Sequence, residues 1–310
     1  MKYRNLEVAL LVPCHNEEVS IGQVIKDFRT SMPSLSIYVF DNDSNDNSAK
    51  IAEKKGATVI HVPLRGKGNV VRRMFADVSA DVFVMVDGDA TYDAASVIPL
   101  VDKLINEKLD MVVGCRRVGG GVRDAYRFGH QFGNWILTEG VRRIFGGSFT
   151  DMLSGYRVFS GRFVKSFPAL SKGFEIETEI TIHALELRIA YGELVTPYGA
   201  RPEGSVSKLS TFRDGFRIAK TIARIFVAER SLIFYSGCAF ILALSSLILG
   251  IPVVLEFIET GLVPRLPTAV LSASLMISAL LAMVCGLILD LVTRSSHETK
   301  RLFFLAIPHP

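Results

Sequence analysis

Two long uncharged stretches constrain this chain more than any other feature. Residues from about Leu232 to Leu255 and from about Leu266 to Val292 are almost wholly apolar. Each is longer than the ~20 residues a helix needs to cross a hydrocarbon core of ~30 Å. A core helix buried in protein is the alternative, but two such runs in one chain favour a transmembrane hairpin. Charge orients it. Arg213, Arg217, Lys220, Arg224 and Arg230 precede the first run, and Arg294, Lys300 and Arg301 follow the second. The connector holds Glu256, Glu259 and only Arg265. The positive-inside rule then places both ends of the hairpin in the cytoplasm. The expected location is a bacterial-type inner or plasma membrane, with the large N-terminal domain cytoplasmic.

That division predicts four regions: a globular domain over 1–210, a juxtamembrane helix over 211–230, two spans within 231–293, and a cytoplasmic tail over 294–310. In the juxtamembrane region Phe212, Phe216, Ala219, Ala223 and Phe226 alternate with basic residues. Such a helix either lies in the headgroup plane or packs on the globular domain. The net charge of +4 is modest and its basic residues crowd near the spans, which suits anionic lipid rather than nucleic acid. Cys14, Cys115, Cys238 and Cys285 lack metal-ligand spacing and read as free thiols in a reducing compartment. The N-terminus runs straight into a strand-like segment and shows no signal-peptide pattern.

The first two hundred residues alternate short apolar runs with helical patterns. Val8–Val12, Ile37–Phe40, Thr58–Val62, Val82–Val86 and Met111–Gly114 read as buried strands, with helices between them. A further helix is expected around Phe132–Ile144, another from Gly173 to about Leu187, and a strand around Glu193–Pro197. This order predicts an α/β fold with a doubly wound, mainly parallel sheet. Ligands of such sheets bind beyond the carboxyl ends of the strands. Three acidic or amide-rich turns stand at such ends: Asn16-Glu17-Glu18, Asp41 to Asp46, and Asp87-Gly88-Asp89. Two carboxylates around a glycine suit Mg²⁺ or Mn²⁺ carrying phosphates, although alone they could equally be solvated. Neither a dinucleotide-binding Gly-x-Gly-x-x-Gly nor a P-loop is present.

Taken together and in order, these motifs resemble the inverting GT-A glycosyltransferases. They are Val12-Pro13-Cys14-His15-Asn16-Glu17-Glu18, Asp41 to Asp46, Arg65-Gly66-Lys67-Gly68 and Asp87-Gly88-Asp89. Ser154-Gly155-Tyr156-Arg157 and the run Arg201 to Leu209 are similar to dolichyl-phosphate mannose synthase and to bacterial polyisoprenyl-phosphate glycosyltransferases. The resemblance implies a hexose moved, with inversion, from a UDP- or GDP-sugar to polyprenyl phosphate. It implies Pro13, Glu17, Asp41, Asn42, Lys67, Asp87 and Gly88 at the nucleotide sugar, with Asp41 or Asn42 reading the base edge, and Asp87 and Asp89 on a divalent ion. Asn42-Asp43 replaces a more usual Asp-Gly, and Thr91 stands where the mannose synthases have a glutamine.

A phosphate acceptor is already an anion and needs no strong base, but it does need cations to position it. Arg116, Arg117, Arg157, Arg201 and Lys208 are the candidates, and some could instead pair with Glu175, Glu177 or Glu179. For a hydroxyl acceptor on a glycolipid or polysaccharide, Asp151 or Glu177 would serve as base. Processive synthases of that kind carry Gln-x-x-Arg-Trp, and the single tryptophan, Trp135, is not in one. A third reading is an inactive membrane scaffold that binds nucleotide sugars, against which the intact acidic and basic motifs argue. Paired hairpins could associate in a bilayer, which allows a homo-oligomer.

Overall fold

The computed structural model describes residues 3–118, 138–143, 145–202 and 211–310. Seven strands form one sheet: β1 (Val8–Cys14), β2 (Ser36–Asp41), β3 (Thr58–His61), β4 (Val82–Met85), β5 (Met111–Val118), β6 (Arg157–Ser160) and β7 (Tyr191–Tyr198). Their order is β3-β2-β1-β4-β6-β5-β7. All pairings are parallel except those of β6, which runs antiparallel to both β4 and β5. The sequence pattern foresees the parallel strands but not this reversed one, because four residues after a turn carry no sign of direction. The order changes sense between β1 and β4, the switch point at which a crevice opens in such sheets.

The strands are apolar throughout because both faces are covered. Val8, Leu10, Val12, Val82, Val84 and Val112 pack on one side against α1 (Ile21–Ser31), α2 (Ser48–Lys54) and α4 (Val97–Asn106). Ala9, Leu11, Phe83, Met85, Met111 and Val113 face the other layer, formed by α3 (Lys67–Asp77), α5 (Gly161–Ser166) and α6 (Ile176–Glu186). This two-residue alternation is the pleat itself. Every residue from Ile176 to Ala184 is buried, so α6 shows little amphipathic pattern. Residues 138–143 are helical, and the remainder of the helix expected around Phe132–Ile144 falls mostly outside the described residues.

The chain divides into two compact units, one of Met1–Thr221 with Lys300–Pro310 and one of Ile222–Thr299. In the first, Phe304 joins the second core layer, with the Arg162 guanidinium 4.5 Å from its ring centre. The last eleven residues therefore belong to the globular unit rather than forming a separate tail. Three further helices are α7 (Thr211–Glu229), α8 (Ser231–Thr260) and α9 (Leu266–Leu305). The latter two are long and apolar enough to cross a membrane, and α9 continues well past the expected end at Val292. Small residues join them: Ser246 and Ser272 each donate a hydroxyl to the other's carbonyl, at 2.8 and 2.9 Å. A Cβ on Gly250 would stand 2.4 Å from Ser272 Oγ, so glycine permits this close approach.

Candidate active site

The site forms where β1, β2 and β4 end. Beyond β4 the chain turns through Asp87, Gly88 and Asp89, with Ala90 at a left-handed φ of 57°. Gly88 is buried, and a Cβ there would stand 3.3 Å from the Pro13 carbonyl oxygen at the end of β1. Its own carbonyl accepts the Ser20 hydroxyl at 2.7 Å, which ties the β4 turn to the start of α1. Gly88 thus lets two strand ends meet.

Both carboxylates of the turn have cationic partners. Asp89 is buried; one of its oxygens accepts the Thr91 hydroxyl at 2.6 Å and the other pairs with Arg201 at 2.8 Å. Asp87 pairs with the ammonium of Lys67, which also reaches Glu177 Oε1 at 2.5 Å. Burial works against the charged form of Lys67, yet the carboxylates of Asp87 and Glu177 hold its pKa above the ordinary lysine range. Burial raises the pKa of Glu177, with Lys67 opposing it. Gly155 faces Asp87: a Cβ at 155 would stand 2.4 Å from Asp87 Oδ2. The donors of Asp87 and Asp89 are hard oxygens only, and glycine at 155 lets the Asp87 carboxylate lie against the backbone. That set fits Mg²⁺ or Mn²⁺.

At the end of β2, Asp41 is buried; Oδ2 lies 3.2 Å from His61 Nδ1, and Oδ1 has no hydrogen-bond partner among the described residues. An unsatisfied buried carboxylate oxygen is costly and points to a missing donor. Asn42 does not share that freedom. Its amide donates to the carbonyls of Val62 and Leu64 at 2.9 and 2.8 Å and accepts from Gly66 N–H at 2.7 Å. The expected reading of a base edge by Asn42 is corrected: it braces the loop leading to α3, and Asp41 alone keeps a free oxygen. Pro13 and Glu17 are half-buried at the end of β1, and Glu17 accepts the Ser20 hydroxyl at 3.0 Å.

The expected phosphate cations part company. Arg157 is fully buried and donates to the carbonyls of Ser154 and Met152 and to the Thr181 hydroxyl. It starts the reversed strand β6 and braces the floor of the cleft, so its expected contact with lipid phosphate is corrected to an internal one. Arg116 holds Asp151 bidentately at 2.7 and 2.6 Å and lies over the Tyr198 ring. Arg117 is exposed at the end of β5. Arg201 pairs with Asp89, and Lys208 lies outside the described residues. Sequence reasoning missed the Lys67–Glu177 pair, because 110 positions separate partners joined only by the packing of α3 on α6. The contact of Thr91 with Asp89 was hinted at only by its place two residues on.

Comparison with known proteins agrees with this geometry. Residues 9–167 match the family model described as glycosyl transferase family 2. The chain is 31% identical over 299 residues to "Glycosyltransferase AglJ" of Haloferax volcanii, covering 95% of this chain and 96% of that one. A "Dolichyl-phosphate hexose transferase" of the same organism is 26% identical and covers 72% of this chain and 96% of its own. Glucosyl-3-phosphoglycerate synthase from Mycobacterium tuberculosis, solved with Mn²⁺, UDP-glucose and phosphoglyceric acid, superposes with a TM-score of 0.55 at 20% identity, over 72% of this chain and 79% of that one. The sheet, its switch-point crevice and the matched segment lead to one conclusion: this chain belongs to glycosyl transferase family 2 and carries a GT-A fold.

Proposed function

We propose that this glycosyltransferase moves a hexose from a nucleotide diphosphate sugar, UDP- or GDP-linked, to polyprenyl phosphate, with inversion at the anomeric carbon. The observation that carries the proposal is the pairing of Asp89 with Arg201, which brings the carboxylate turn of β4 and the first residue of the Arg201–Leu209 motif to one place. Asp41 Oδ1 accepts from the base, and Glu17 accepts ribose hydroxyls. Asp87 and Asp89 would hold the divalent ion, which supplies charge neutralisation as the nucleoside diphosphate departs. Support for such an ion and donor comes from the structural neighbour solved with Mn²⁺ and UDP-glucose.

The acceptor class rests on charge. A phosphate monoester attacks without giving up a proton to the protein, so the enzyme need only position and partly desolvate it. Arg117 and Lys208 carry that task, and Arg201 joins them once a divalent ion takes its place at Asp89. Both candidate bases for a hydroxyl acceptor are engaged: Asp151 by Arg116 and Glu177 by Lys67. That favours the phosphate. So does the similarity to a dolichyl-phosphate hexose transferase. The two apolar helices would hold the protein in the membrane where a polyprenyl chain resides, with the basic flanks and catalytic domain cytoplasmic.

The test is to offer purified protein a panel of radiolabelled UDP- and GDP-sugars with Mn²⁺ and polyprenyl phosphate. One donor should yield a lipid-extractable labelled product. Transfer only to sugar hydroxyls, with none to polyprenyl phosphate, contradicts the proposal.

A further inference from the structure

Lys67 stands between two carboxylates, Asp87 and Glu177, and all three are more than two-thirds buried. The second oxygen of Glu177, Oε2, is also buried and has no hydrogen-bond partner among the described residues. The backbones that carry these groups are fixed. A Cβ on Gly66 would stand 2.1 Å from the Lys172 carbonyl oxygen, and one on Gly68 2.1 Å from that of Ser171, so the first turn of α3 is locked against this loop. Glu179, one helical position pair beyond Glu177, accepts from Leu170 and Ser171 N–H at 2.8 and 2.7 Å and clamps the same loop to α6. The lysine ammonium reaches both carboxylates at once.

A buried ammonium needs a carboxylate within reach, or the cost of its lost hydration is uncompensated. Asp87 cannot serve a divalent ion and Lys67 equally well, since the two cations repel across one carboxylate. We infer that Glu177 is a positioning residue: it takes over Lys67 when Asp87 turns to the metal-diphosphate, and its spare oxygen is the place kept for that transfer. The inference rests on the assignment of Asp87 and Asp89 to the ion. Without the Glu177 carboxylate, Lys67 stays on Asp87 and competes with the ion.

The test measures Mn²⁺ affinity of the full-length protein by electron paramagnetic resonance, with UDP and in parallel with GDP, alongside melting curves. Glu177→Gln should weaken Mn²⁺ binding about tenfold, the scale of one charge-assisted contact. Glu177→Asp should recover part of that loss. In a Lys67→Met background, Glu177→Gln should change nothing, because the competing cation is gone; this second comparison carries the test should the single variant fail to fold. Equal Mn²⁺ affinity in wild type and Glu177→Gln overturns the inference, as does the same loss with Lys67 already replaced. Asp87→Asn and Asp89→Asn report separately on the metal assignment: if they keep full Mn²⁺ affinity, that assignment fails whatever Glu177 does.

Discussion

Asp41 ends β2 and Asp87 and Asp89 follow β4, the two parallel strands that flank β1, so the sheet itself brings them to its carboxyl edge. The arginines on the other side have no such common delivery. Arg157 begins the antiparallel strand and turns into the core, Arg116 is held by Asp151, Arg201 by Asp89, and Arg117 is exposed. Acidic residues here owe their position to topology, whereas each cation owes its position to an individual partner. A cation count near a predicted site is therefore a poor guide to where each cation ends up, while a carboxylate at a parallel strand end is placed by the sheet.

Substitutions on the two sides should separate accordingly. Asp89→Ala should lower transfer by about a thousandfold and abolish Mn²⁺ binding while membrane insertion persists, a magnitude typical of losing a central electrostatic group. Near-wild-type turnover would remove the metal assignment. Arg157→Ala leaves two carbonyls and the Thr181 hydroxyl without their donor, at a cost of about 3 kcal/mol. Chemical denaturation should register that loss, and a fully stable variant with impaired acceptor binding would return Arg157 to the phosphate site. Arg201→Ala should weigh more on activity, with kcat/KM for polyprenyl phosphate down about a hundredfold. Its drop in denaturation midpoint should be smaller than that of Arg157→Ala, since it leaves only the buried Asp89 without its cation. The smallest effect is expected for Thr91→Val, which keeps the shape but removes the 2.6 Å bond to Asp89. Mn²⁺ affinity should fall by up to about tenfold, the loss expected when a group orienting a metal ligand is removed.

Much of this was legible in the residues. The parallel strands, the three strand-end turns and the two apolar helices all announce themselves through period and length, which are local properties. What was not legible is long-range. Arg157 carries the same side chain whether it faces a ligand or a core, and only the reversal of β6 decides which. Asn42 looks like a base reader until the carbonyls of Val62 and Leu64, twenty or more positions on, take its amide. The pairing of Lys67 with Glu177 depends on two helices packed on one face of the sheet. The C-terminal segment, expected as a cytoplasmic tail, enters the core through Phe304, a single aromatic that periodicity cannot distinguish from its neighbours.

The account stands most directly on the chemistry of the acceptor atom. Phosphorus NMR of polyprenyl phosphate, incubated with the purified protein, Mn²⁺ and the accepted nucleotide sugar, reads that atom itself. The monoester resonance should be replaced by a phosphodiester resonance in step with release of nucleoside diphosphate. A monoester signal that stays constant while hexose appears on a hydroxyl acceptor would contradict it.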